Sequence, residues 1–495
     1  MRIFYGLLLI PFLTNLINAQ PSPTTEAEHQ PIGTITLEEF MESVQKRHPF
    51  FAKEALSSDI ERRGQERFLG SQDWVITSSP FYLHQKPIST GSFSPERIDG
   101  VGIGAGVEKM FWNTGGRLSL SWSSDFTDQK LPVQNFIIDT FVISVGPTQL
   151  YQNKVFLTYS QPLLQNFGGD LDRLDYELSQ YTIDFSELQA KENQEEFLLG
   201  LGVRFLDWVL LTEQRRIAND RLNLAEEELQ QSKRKRAANL VERVDVLRSE
   251  DAVQIAKQNI VLIESQRKAK QAELAVLAQS QELYNQNPEF DLYNLETLPP
   301  PDEAVSRLKE QSRFLQALSI RKEQLSHLRK GYYETRRPQL FLTGRVGLQG
   351  GDEEFGNSLE IDKPDITVSL DFRHPLGSRT ARSDIAKTDL QTRQLEEEIE
   401  HVTLDLEAGV RNLLIQIEEL EKALALNQEQ IESAREKTKE ELRLYNQGRN
   451  QLTFVIQSRD NEENAKSNYA LNSALYHKLV LQYHALVDEL LLPTD

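Results

Sequence analysis

The chain has 495 residues and no cysteine, with 75 Asp and Glu against 55 Lys and Arg, for a formal charge of −20. The lack of cysteine excludes disulfides, thiolate metal sites and a lipid-modified N-terminal cysteine. The acidity argues against a general nucleic-acid surface, so no nucleic acid is expected as a partner.

Residues 1–19 combine Arg2, an apolar run from Ile3 to Leu13 and small Ala19 before Gln20, the layout of a cleavable export signal. Residues 20–34 are polar and proline-bearing and read as a flexible leader. Over 35–71 the apolar spacing turns helical, through Leu37, Phe40, Val44, Leu56 and Ile60, with a break or kink expected at Pro49. From 72 to 166 the period is two. Val101, Ile103, Ala105 and Val107 alternate with Gly100, Gly102, Gly104 and Gly106; after a Thr114-Gly115-Gly116 turn, Leu118, Leu120 and Trp122 alternate with serines. The hairpin from about Val101 to Phe126 is longer than a two-strand unit needs, and the sequence leaves open whether it joins the other strands or extends beyond them.

The next stretch, 167–283, reads as a hairpin of very long helices whose first arm runs from Asp172 to about Asn239. Residues 284–301 form a proline-closed connector, followed over 302–337 by a helix with Asp302 at its N-cap. Strands return over 338–376, where Ile366, Val368, Leu370 and Phe372 alternate with Thr367, Ser369, Asp371 and Arg373. A second long hairpin fills 377–492, its first arm running from Arg379 to about Gln447. One unit is therefore written twice. VFLTYSQPLLQNFGGDLDR (Val155 to Arg173) precedes the first long helix and ITVSLDFRHPLGSRTAR (Ile366 to Arg382) the second. Gly202-Val203-Arg204 answers to Gly409-Val410-Arg411, and Arg248-Ser249-Glu250-Asp251 to Gln457-Ser458-Arg459-Asp460.

At about 1.5 Å per residue each long arm spans on the order of 100 Å, wider than a compact domain. In the second arm a thin seam runs from Leu395 through Ile399, Leu406, Ile417, Leu424, Ala434 and Thr438 to Tyr445, with steps averaging about 3.57 residues, between a left-handed supercoil and a straight helix. Such helices lie nearly straight side by side, either lining a channel or forming a solvent-exposed coiled coil. Asn239 and Gly448 stand where the reversals need a left-handed backbone, which both residue types tolerate. The strands likewise have two readings: a soluble sandwich, or a membrane barrel with lipid on the apolar face and water on the other.

These features together resemble the TolC-type outer-membrane efflux proteins. The resemblance rests on RRPQLFLTG before the second strands, SQPLLQNFGG before the first long helix, and the paired reversals LVERVDVLRSEDA (Leu240 to Ala252) and YNQGRNQLTFVIQSRDNEENA (Tyr445 to Ala465). It implies a mainly α fold with a membrane β-barrel part, in which duplicated strand and long-hairpin units build, as a homotrimer, an α-helical periplasmic tunnel and a shared β-barrel in the outer-membrane lipid. Its implied partners are a periplasmic adaptor and an inner-membrane transporter of the RND, ABC or MFS type, and its implied role is a passive exit duct for efflux or type I secretion. At the tip, Tyr445 and Gly448 match the family's tyrosine and glycine, and Leu240, Val241, Asp245 and Val246 fit its Leu-Val and Asp-Val pairs, with Asn239 in place of glycine. The family's arginine position falls on Asn450, beside Arg449, and its aspartate positions on Phe454 and Gln457. The constriction candidates are accordingly Tyr445, Arg449 and Asp245, and the reversal and adaptor-contact candidates are Asn239, Leu240, Val241, Gly448 and Leu452. Asp371, Arg373 and Arg345 are the lumen-facing barrel candidates.

Lys233-Arg234-Lys235-Arg236 suits a helix end stabilised by the helix dipole, and alternatively a docking surface for an acidic adaptor. Gly102, Gly104 and Gly106 fit one strand face rather than a phosphate loop, the eight histidines show no metal spacing, and no catalytic triad assembles. No enzyme activity and no cofactor are expected. The alternative to the duct is a periplasmic or surface structural coiled coil carrying a soluble β domain.

Overall fold

A computed structural model describes residues 33–88, 94–131, 135–138, 141–144 and 148–491. The expected export signal over 1–19 lies outside the described residues, as does the leader up to residue 32. In chain order the elements are β1 (Gly33–Thr36), α1 (Leu37–Arg47), α2 (Pro49–Leu69), β2 (Val75–Gln85), β3 (Arg97–Phe111), β4 (Gly116–Lys130), β5 (Asn135–Ile138), β6 (Phe141–Ser144) and β7 (Gln149–Pro162). There follow α3 (Asp170–Ala237), α4 (Arg243–Leu277), β8 (Gln286–Glu289), α5 (Pro301–Gln311), α6 (Arg313–Thr335), β9 (Gln339–Asp352), α7 (Phe355–Ser358), β10 (Lys363–Arg373), α8 (Arg379–Asn446) and α9 (Leu452–Leu486).

Local chemistry explains the breaks between helices. Thr36 and Glu39 form a reciprocal capping box that starts α1. The last two leader residues, Gly33 and Thr34, are not free: they belong to β1, which pairs in parallel with β8. At Pro49 the helix does break, with His48 Nδ1 accepting from Phe50 N at 3.2 Å. The second copy divides too, at Ser312, whose hydroxyl accepts from Leu315 N at 3.4 Å, so the single helix expected over 302–337 is two. The helix also begins two residues early, with Pro301 in its first turn and Pro300 in place of Asp302 at the cap.

The duplication is most legible in the backbone. Positive φ occurs at Gly168, Gly169, Asn239 and Gln279 and again at Gly377, Ser378, Gly448 and Asp488, each pair 209 positions apart (377 against 168, 488 against 279). Both long helices have 68 residues and both return helices 35. At the far ends Leu240 N donates to Lys235 O and Arg449 N to Leu444 O, each at 2.9 Å, the 6→1 bond that closes a helix around a left-handed residue. This offset keeps Ser249 opposite Ser458, both buried, but it places Arg411 opposite Gly202. The match of Gly202-Val203-Arg204 to Gly409-Val410-Arg411 is therefore two residues out of register, a chance likeness of short strings. Before the strands the offset is 264 (301 against 37), so the first copy carries 55 extra residues between the start of α2 and the start of α3.

The helices form a layer one helix thick. Nearest the strands the order is α2, α3, α6, α8, and beyond the equator it is α4, α3, α9, α8. At the equator Phe40, Leu198, Phe205, Trp208 and Leu274 are fully buried among α1, α3, α4 and α9. Each such side chain contributes roughly 1.5–3 kcal/mol. The seam of α8 faces the neighbouring helices: Leu395, Ile417, Leu424, Thr438 and Tyr445 are buried. None of the described helices is long and apolar enough to cross a membrane.

Six strands make one antiparallel sheet in the order β10-β9-β7-β4-β3-β2. The hairpin whose place the sequence left open forms β3 and β4 in the middle of that sheet, with β4 paired to β7 from Arg117 opposite Ser160 to Asp128 opposite Gln149. Its turn is anchored at the helix junction, where Trp112 Nε1 donates to Ser71 Oγ at 2.7 Å and Arg173 Nη1 to Trp112 O at 2.9 Å.

Candidate functional site

Two surfaces carry the residues of interest, the faces of the sheet and the paired reversals at the far ends of the 68-residue helices. Because side chains alternate along a strand, register assigns them. Val107, Leu120, Leu157, Val346 and Ile366 follow one another across β3, β4, β7, β9 and β10 on one face. Ile366 and Val368 are each 71% exposed and Leu370 62%, and no second layer covers them. A soluble sandwich requires such a face to be buried against another sheet, and this chain supplies none among its described residues. Aromatic side chains bracket the face on β7, with Tyr151 tilted against Phe126, ring centroids 4.5 Å apart, at one end and Tyr159 at the other. The eight-residue span between them is about 27 Å along the strand, or about 20 Å once tilted as barrel strands are, close to a bilayer's apolar band.

The opposite face is polar: Ser119, Ser121, Ser123, Thr158, Arg345, Thr367 and Ser369 share it. The three barrel candidates lie here. Arg345 stands opposite Thr367, with Nη2 at 3.4 Å from Thr367 Oγ1 and the guanidinium 4.6 Å from the Phe156 ring. Asp371 accepts from Ser369 Oγ at 3.0 Å, and Arg373 stands opposite Gln339.

At the reversals, a cleft of about 680 Å³ between the two hairpins is lined by Asn239, Leu240, Val241, Asp245, Tyr445, Gly448 and Leu452. Seven of the eight tip candidates thus come together; Arg449 is exposed on the turn outside the cleft lining. Tyr445 is only 7% exposed, packed with Leu452 and Val455, and Lys235 Nζ sits 3.7 Å from its ring centroid. Burial raises the Tyr445 phenol above its ordinary pKa, and the charges of Asp245 and Glu228 add to this. The tyrosine therefore ties α8 to α3 within one chain instead of projecting freely.

The basic run is largely engaged in holding this tip. Lys233 pairs with Glu250 at 3.2 Å, Lys235 also donates to Asn446 Oδ1 at 3.1 Å, and Arg236 Nη1 reaches Val241 O at 3.5 Å. Arg234 is exposed.

Sequence reading missed two buried ionic ties. On α3, Arg221 is 6% exposed and donates to Asp460 Oδ1 on α9 at 2.9 Å, while Arg459 Nε reaches Glu228 Oε1 at 3.3 Å. Burial pushes the Glu228 carboxyl up against the pull of both arginines. At the equator Arg313 holds Glu192 at 2.8 Å, Glu195, and Asp488 at 3.2 Å, and Leu490 N donates to Glu195 Oε1 at 2.8 Å. The three carboxylates lie close enough to hold a cation, and the guanidinium already fills that role. Nothing in the strings around these residues separates them from solvated helix charges; only the packing does.

No protein-family model and no curated protein matches the sequence. Solved structures do. The outer-membrane channel OprN superposes with a TM-score of 0.64 at 12% identity, over 92% of this chain and 90% of that one. The CmeC outer membrane channel of Campylobacter jejuni gives 0.61 at 13%, over 97% and 94%. The open state of the MtrE outer membrane channel of Neisseria gonorrhoeae gives 0.57 at 15%, over 96% and 98%. The fold is that of the outer-membrane channels. It agrees with the resemblance to the TolC-type proteins, and it extends over 92–97% of this chain despite the low identity. These neighbours are channel proteins, and none is described as an enzyme.

Proposed function

We propose that this protein is a passive exit channel of the outer membrane. Three copies share one β-barrel in the lipid, and their long helices continue it as a tunnel through the periplasm toward an adaptor and an energised inner-membrane transporter. The observation that carries this reading is a sheet with one apolar face uncovered and one face polar, joined without a linker domain to two 68-residue helices. An apolar face in lipid and a polar face in water satisfy both sides at once, and a closed sheet leaves no backbone unpaired in the bilayer.

The helices support assembly in the same way. Among the described residues, and apart from Phe355 on the single turn α7, the large apolar helical side chains more than half exposed, such as Ile60, Val261, Leu262, Leu390 and Leu426, lie on α2, α4 and α8. These are the outer members of each four-helix row, where another copy would cover them. In this reading Asp371, Arg373 and Arg345 face the lumen, the cleft with Tyr445 and Asp245 forms the narrow end with Arg449 at its rim, and Asn239, Leu240, Val241, Gly448 and Leu452 meet the adaptor. The cargo passes without chemistry.

Fractionation with reconstitution tests the proposal. The expected result is extraction from outer membranes as a heat-modifiable trimer that conducts ions in a planar bilayer. Release as a soluble periplasmic monomer would instead establish the structural coiled coil with a soluble β domain.

A further inference from the structure

The sheet has two open edges, and they match. β2 and β10 each have 11 residues, and both are exposed along most of their length. All neighbouring strands are antiparallel and their number is even, so β10 of one copy runs opposite to β2 of the next in any ring of identical copies. β2 follows α2 and β10 leads to α8, so the sheet edges lie above the edges of the helix row. One chain is an open strip, six strands above four helices.

We propose that three such strips close into a single barrel of eighteen strands, through antiparallel pairing of β2 in each chain with β10 in the next. This rests on the trimeric channel reading and specifies its wall. The widths agree. Six strands spaced about 4.8 Å and tilted about 40° occupy roughly 38 Å of circumference. Four helices spaced 8–10 Å apart occupy about 32–40 Å. Four strands would cover only about 25 Å of the same arc. Eighteen strands give a barrel about 36 Å across between backbones, a size at which barrels hold an aqueous channel. Pro80 on β2 and Pro364 on β10 each remove one donor, which edge strands tolerate, and leave the rest of the ladder available.

The absence of native cysteine makes the closure directly testable. Cysteines at Thr77 or Ser79 on β2 are combined with cysteines at Thr367, Ser369 or Asp371 on β10, and intact outer membranes are oxidised and run on denaturing gels. A Ser160→Cys and Thr343→Cys pair, adjacent within one chain with hydroxyls 3.0 Å apart, reports that the sheet has formed. The expected result is a covalent ladder that ends at three chains for at least one β2–β10 pair and is lost on reduction. Trimers that cross-link only between Ser121→Cys on β4 and the β10 cysteines, or trimers without any β2–β10 bond, overturn the eighteen-strand wall and leave the channel reading standing. A monomer that forms the internal bond alone overturns both.

Discussion

Replacing Arg313 with leucine removes the guanidinium around which Glu192, Glu195 and Asp488 gather. Glu195 is 3% exposed at its side chain and Asp488 and Arg313 each 12%, so water cannot screen the carboxylates left behind. Removing one partner of a buried ionic group costs about 3–5 kcal/mol. Unfolding entropy of roughly 2 cal/mol/K per residue makes a chain of this length lose about 1 °C per kcal/mol, so the folded form should disappear about 3–5 °C lower. The loss should depend on pH. Burial, and then the charge of Asp488, already hold the Glu192 carboxyl above its ordinary value, and burial raises Asp488. Acids raised in the folded state add stability that is complete below their unfolded pKa and is lost as pH rises through the folded one. Without Arg313 both rise further, so the deficit measured by calorimetry of the detergent-extracted protein should shrink between pH 7.5 and pH 5. R313K, which keeps the charge without the fork, should fall between the two. A deficit equal at both pH values, or below about 1 kcal/mol, would refute the argument.

Gly448 has φ +70 and open space where a Cβ would stand, so Gly448→Ala should cost only the left-handed backbone strain, about 1 kcal/mol, while Asn239→Gly at the matching position should be neutral or slightly stabilising in the same melts. Gly347→Ala should disrupt the sheet, because its Cβ would run into the Val155 carbonyl and the Phe156 ring, whereas Gly344→Ala meets nothing and should yield normal heat-modifiable protein. Leu370→Arg, on the apolar face, should cost about 2–4 kcal/mol and reduce outer-membrane yield, while Ser369→Arg on the polar face should fold normally and shift ion selectivity toward anions in bilayer recordings.

The sequence makes the long helices legible because a steady period followed over the fifty positions from Leu395 to Tyr445 leaves little choice, and because Asn239 and Gly448 are among the few residue types that stop a helix in the left-handed region. Alternation likewise separates the apolar face from the polar one along each strand. Pairing is different: whether β3 and β4 sit inside the sheet depends on ladder partners up to several elements away, and the local string contains no such information. The same limit hides β1, four residues that pair with β8 some 250 positions on, and the split at Ser312, where no proline marks the break. At the tip, Tyr445 is legible as a candidate, but its burial under Lys235 depends on the hairpins meeting.

The glycine lane of β3 has a consequence for shape. Gly100, Gly102, Gly104 and Gly106 leave the polar side of that strand bare, and Phe81 and Asp125 lean across Gly102 from either side. Sheets bend most easily where side chains are missing on the concave side. In the proposed trimer, one such crease per subunit would make the mouth a rounded triangle rather than a circle, its three corners smooth and its sides furnished with serine, threonine and charge.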